Sequence, residues 1–127
     1  ANTWNWSTAG WQQANNSAVN QFGFLLGLSE DAVEAEVRAA CSNSTSTART
    51  VRAGIGLDAL TPSANSQYDD RAIINLRYPL GATYSALVGV GYHYLAWLEY
   101  GGGTDVQTWY GDNAGTMQSG LKGHIWG

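Results

Sequence analysis

The sequence predicts an all-β fold, a sandwich or jelly roll of about seven or eight antiparallel strands in a single domain. Three observations predict it. Apolar residues recur at a period of two in several separate stretches, as in Phe22, Phe24, Leu26 and Leu28. Sixteen glycines and two prolines, with many Ser, Thr and Asn, suit short strands joined by tight turns. The 127 residues are enough for one core, while two would each be marginal in size.

Taken in order, Ala1 to about Ser17–Ala18 carries Trp4, Trp6 and Trp11 among amides and hydroxyls and reads as an irregular aromatic arm. Val19–Leu28 alternates and reads as a half-buried strand. Ala32–Cys41 contains helix formers, and Ser29-Glu30-Asp31 before it resembles a helix start. Its period argues the other way: Val33, Ala35, Val37, Ala39 and Cys41 alternate with Glu34, Glu36 and Arg38, which puts the apolar set on one face only in a strand. Ser42–Ala48 is a polar loop, and Arg49–Leu60 alternates again through Val51, Ala53, Ile55 and Leu57. Thr61–Asp70 is rich in turn formers and predicts an exposed loop, and Ala72–Tyr78 a strand stopped by Pro79. Leu87–Tyr100 reads as one long strand with bulk on both faces, hence central or covered. Gly101–Gly103 breaks it, Gln107–Tyr110 is a short strand, Gly111–Gly115 a turn, and Gln118–Trp126 the closing strand.

Composition narrows the function classes. Charged residues make up only 13%, so solubility rests on amides, hydroxyls and backbone. A net charge of −4 with six scattered basic residues predicts no nucleic-acid partner. No apolar run reaches the roughly 18 residues of a membrane helix, so no membrane insertion is expected. Ala1 stands where an initiator Met would, which predicts a fragment or processed product.

The chemistry-bearing residues form no recognisable active site, and the chain is expected to be no enzyme, with no cofactor and no metal. Cys41, His93 and His124 are not brought together by any local pattern, and the lone cysteine makes neither an internal disulfide nor a cysteine metal site. Glu30 with Asp31, Glu34 with Glu36, and Asp69 with Asp70 are carboxylate pairs of the kind glycosidases use, but strand neighbours point to opposite faces. Glu34 and Glu36 read as a solvated stripe beside Arg38. Asp69, Asp70, Asp105 and Asp112 match no calcium-loop spacing. Gly89-Val90-Gly91 lacks the third glycine and helix of a dinucleotide fingerprint. Asn5, Asn15 and Asn43 open glycosylation triplets, which count only in a eukaryotic secretory pathway.

Six Trp and seven Tyr exceed what one small core needs. Exposed rings stack on sugar faces or anchor subunit contacts. Trp4, Trp6, Trp11, Trp97 and Trp126 are the interface candidates. The candidate binding residues are Tyr68, Asp69 and Asp70 on one expected loop, and Trp109, Tyr110, Asp112 and Asn113 on an expected turn, where rings and hydrogen-bonding groups occur together.

From Gly91 to Gly127 the chain carries Gly-Tyr-His-Tyr-Leu, Glu99-Tyr100-Gly101, Trp109-Tyr110-Gly111-Asp112, and Gln118-Ser119-Gly120-Leu121 before a closing strand. That ordered string resembles the C-terminal ends of tailed-bacteriophage virion proteins, in particular tail-fibre and tail-spike tips. The earlier pieces NQFGFLLGLSEDAV and NSTSTARTVRAGIGLD are similar to the body of such modules. The resemblance implies a small jelly-roll β-sandwich that forms a homotrimer at the end of a fibre on the virion surface. It would touch other virion proteins and either contact a bacterial surface glycan or protein or knot the trimer. It supplies no catalytic motif. A capsid decoration or head-fibre protein, a stand-alone carbohydrate-binding module and a small glycosidase using Asp69, Asp70 or Asp112 are the competing expectations.

Overall fold

A computed structural model describes residues 3–27, 32–63, 66–111 and 119–126, with Trp126 placed by its backbone. The strands are β1 (Thr3–Asn5), β2 (Trp11–Gln13), β3 (Gln21–Leu26), β4 (Ala32–Asn43), β5 (Arg49–Leu57), β6 (Ser66–Ile73), β7 (Tyr78–Leu87), β8 (Gly91–Tyr100), β9 (Gln107–Tyr110) and β10 (Gly120–Trp126). The helical content among the described residues is one 3-10 turn, Ala14–Asn16. All pairings are antiparallel, in the order β1-β9-β4-β7-β6-β5-β8-β2, with β10 beside β4 and β3 beside β8. The sheet curls into a half-barrel.

The curl turns on β6. Its first part, Ser66–Tyr68, pairs with β7, and its second, Asp69–Ile73, pairs with β5. One strand therefore belongs to both walls, and the core lies between them. On β4 the odd residues from Val33 to Cys41 are buried while Glu34 and Arg38 are exposed, so the period of two outweighs the helix-forming composition. On β5 Val51, Ala53 and Ile55 fill the interior, and on β3 Phe24 and Leu26 do.

β8 is central, with β5 on one side and β2 and β3 on the other. Leu95 and Trp97 enter the core, and Leu98 on the other face is also fully buried. The cover is local. A Cβ on Gly54 would lie 3.1 Å from the Trp11 indole, so that ring rests on Gly54 and crosses β8 beside Leu98. Gly56 is approached by the backbone of Ala59 and Thr61 and leaves no room for a side chain.

Several elements depart from the sequence expectations. The described strands number ten, not seven or eight. The arm is not irregular: its short strands pair with β9 and β8 of the same chain. Residues 66–70 are strand, not loop, and the strand expected over Ala72–Tyr78 is instead the end of β6, a turn, and the start of β7. Pro79 sits inside β7 because β6 has already crossed to β5 at that level, so no partner needs its missing N–H. Leu87–Tyr100 is not one strand, since Gly89 and Gly91 at φ +66° and +115° separate β7 from β8. The carboxylates Glu30 and Asp31 and the turn residues beyond Gly111 lie outside the described residues.

Candidate attachment surface

Strand register builds an aromatic row on the outer wall. Trp11 on β2 is opposite Tyr100 on β8, Tyr100 is opposite Arg52 on β5, and Arg52 is opposite Asp70 on β6. Tyr68, two residues before Asp70, projects to the same face. The Trp11 ring meets Tyr100 edge-on at 5.2 Å and Tyr68 at 5.5 Å. The Arg52 guanidinium lies 4.6 Å from the Tyr100 ring centre and its Nε 3.3 Å from an Asp70 carboxylate oxygen. Tyr68 is 47% exposed, so the row presents ring surface flanked by a cation and an anion. Such a surface stacks against apolar ring faces and hydrogen-bonds hydroxyl groups.

Behind that wall lies a buried carboxylate. Glu99 is fully buried, and all its hydrogen bonds come from the arm. Trp4 Nε1 donates to both oxygens at 2.8 and 3.0 Å, Gln12 Nε2 donates at 2.6 Å, and the Asn15 amide at 3.2 Å. Asn15 reaches it in a left-handed conformation, φ +56°, which Asn tolerates better than most residues. Burial pushes the Glu99 pKa up to about 7, with the donors from Gln12, Trp4 and Asn15 opposing it. Glu99 thus clamps three points of the arm to the central strand.

The other titratable groups hold loops. His93 Nδ1 contacts Asp58 at 2.7 Å and Nε2 contacts the Gly89 carbonyl at 3.0 Å, so both ring nitrogens are occupied. The Asp58 hydrogen bond raises the His93 pKa against partial burial. Asp105 accepts from Arg49 Nε at 2.7 Å, Thr45 Oγ1 at 2.9 Å and Asn43 Nδ2 at 3.3 Å, which together lower its pKa. Cys41 is buried, and burial and the nearby Glu99 charge push its thiol pKa up, away from nucleophilic use. Glu34 and Glu36 form the surface stripe the sequence suggests, with Arg38, Lys122 and His124 3.4–3.8 Å away. Among the described residues no three His, Cys, Asp or Glu side chains gather as an ion site.

The structure separates the predicted site residues. Tyr68 and Asp70 join the row, while Asp69 turns away and accepts the Gly81 amide at 2.7 Å. Trp109 and Tyr110 are on β9, not on a turn. Trp109 is fully buried and donates to the Trp6 carbonyl at 3.1 Å, which withdraws its ring from any external ligand. Tyr110 shares a 3.0 Å hydrogen bond with Ser42 and lies under the Arg77 guanidinium, 3.9 Å away. Asp112 and Asn113 lie outside the described residues, as does the Trp126 side chain. Among the interface candidates, Trp97 is a core residue, Trp4 and Trp6 are half-buried against their own chain, with Trp6 Nε1 donating to the Gly10 carbonyl, and Trp11 forms the row.

Arg52, Tyr100 and Glu99 are not among the site residues that the sequence suggests, although Glu99-Tyr100-Gly101 belongs to the string that carries the resemblance. A carboxylate inside the apolar run LAWLEY was the available signal for Glu99. Arg52 and Tyr100 gave none, because only strand pairing makes them neighbours. No family model, curated protein or solved structure matches the chain.

Proposed function

We propose that the chain is a bacteriophage virion structural module, a trimeric jelly-roll tip of a tail fibre or spike that attaches to a bacterial surface glycan. The observation that carries the attachment reading is the Trp11–Tyr100–Arg52–Asp70 row with Tyr68 beside it. Aromatic rings take the apolar faces of sugar rings, and the Arg52–Asp70 pair supplies a donor and an acceptor for hydroxyls.

The assembly reading is supported by a separate apolar patch at one end of the molecule. Leu25 and Tyr92 are cross-strand partners, and Leu87 and Val90 belong to the β7–β8 turn region that leads into Tyr92. All four are 59–74% exposed. Large apolar side chains grouped in this way favour contact with another subunit. Light scattering of the purified chain at several concentrations tests the assembly: three times the chain mass is expected. A concentration-independent monomer overturns the trimer and moves the same aromatic row to a stand-alone carbohydrate-binding module.

A further inference from the structure

The curled sheet leaves a seam where β10 and β3 approach one another, and a cleft of about 360 Å³ opens there. Trp4, Asn15, Asn20, Gln21, Trp97 and Ser119 are among its walls. It is distinct from the outer row, because Trp97 is on the core side of β8. Two of its polar atoms are anomalous. Trp97 is 5% exposed, and its indole Nε1, shielded from solvent, has no hydrogen-bond partner among the described residues; the shielded Ser119 Oγ has none among them either. Buried donors without acceptors are rare in folded proteins, and one beside a cleft points to an acceptor supplied from outside.

The remaining chemistry limits what that acceptor belongs to. None of the described residues lining the cleft is charged, so neither an anionic nor a cationic group would be neutralised there. Glu99 stands behind Trp4 with both oxygens already accepting hydrogen bonds. Two indoles, three amide side chains and two hydroxyls suit a ligand with apolar ring faces and many neutral hydroxyls. The volume is at the small end of ligand pockets, about 300–1,000 Å³, and admits one ring better than a chain.

We infer that the seam cleft binds a single neutral pyranose unit, with the Trp97 indole N–H and Ser119 hydroxyl hydrogen-bonding its oxygens. The inference rests on the attachment reading only for the source of that sugar, the end of a surface glycan. Titration calorimetry of the full chain with methyl glycosides of neutral hexoses, 6-deoxyhexoses and N-acetylhexosamines tests it, with glucuronic acid as the charged comparison. At least one neutral glycoside should bind saturably and the acid should not. Trp97→Phe, which keeps a ring and removes the N–H, and Ser119→Ala, which removes one oxygen, should each weaken binding about tenfold, the equivalent of roughly 1.4 kcal/mol. Arg38→Ala, on the exposed stripe of β4 and outside both the cleft and the outer row, should leave it unchanged. No binding by any neutral glycoside overturns the inference without touching the outer row. Binding lost in Tyr68→Ala but kept in both cleft variants overturns it too, and assigns the sugar to the outer row.

Discussion

Glu99 gives the structure a pH dependence opposite to that of most carboxylates. Burial lifts its pKa from an ordinary 4.5 to about 7, despite donors from Trp4, Gln12 and Asn15. Between those values the native state holds a proton that the unfolded chain has released. Stability from this group is therefore fully present below about pH 4.5 and is lost as pH rises through about 7. At about 1.4 kcal/mol per pH unit the loss is on the order of 3 kcal/mol. Glu99→Gln keeps the volume and removes the titration, so wild type minus variant isolates the effect from His93 and the surface carboxylates. Urea unfolding of both proteins at half-unit steps from pH 4 to 8 is the assay. The difference in unfolding free energy should fall by about 3 kcal/mol across the window and then level off. Parallel curves would refute the burial argument. A difference that grows with pH would show that the arm's donors outweigh burial and hold Glu99 ionised.

Asp58→Asn should lower the His93 pKa, read from its ring-proton NMR titration, because the Asp58 hydrogen bond is the main cause raising it. In wild type that contact contributes stability below the ordinary His pKa, lost as pH rises through the elevated value; an unchanged titration in the variant contradicts the pairing. Gly56→Ala should cost about 1–3 kcal/mol in urea unfolding, because its Cβ would run into the Ala59 carbonyl oxygen, a backbone atom. A variant as stable as wild type refutes that close approach. Trp109→Ala should cost about 3–5 kcal/mol for a fully buried ring, and a loss below about 1 kcal/mol would place Trp109 outside the core.

The long strands were legible because their faces differ. β4 shows it most clearly: Ala, Glu and Arg favour a helix, yet only a strand puts Val33 through Cys41 on one side. β6 was not legible, since of Ser66–Ile73 only Ile73 is buried and the strand is specified by its partners on either side. β1 and β2 are three residues each, too short for a period, and are fixed by pairing with β9 and β8. Leu87–Tyr100 misled because Val88 and Val90 continue the apolar run through a turn made by Gly89 and Gly91. For the attachment surface, Tyr68 and Asp70 were found from turn-like composition but occupy a strand. Their companions Trp11, Arg52 and Tyr100 come from three other strands, so the row exists only once the register is known.

The attachment claim is tested most directly by binding of the purified chain to an array of bacterial surface polysaccharides, comparing wild type with Tyr68→Ala and Arg52→Ala. Tyr68 and Arg52 are on the outer wall, outside the main core, so both variants should fold. Wild type should retain at least one polysaccharide, and each variant should bind it about fivefold more weakly, the loss of one ring or charge contact of roughly 1 kcal/mol. Retention of that polysaccharide at full strength by both variants would contradict the account.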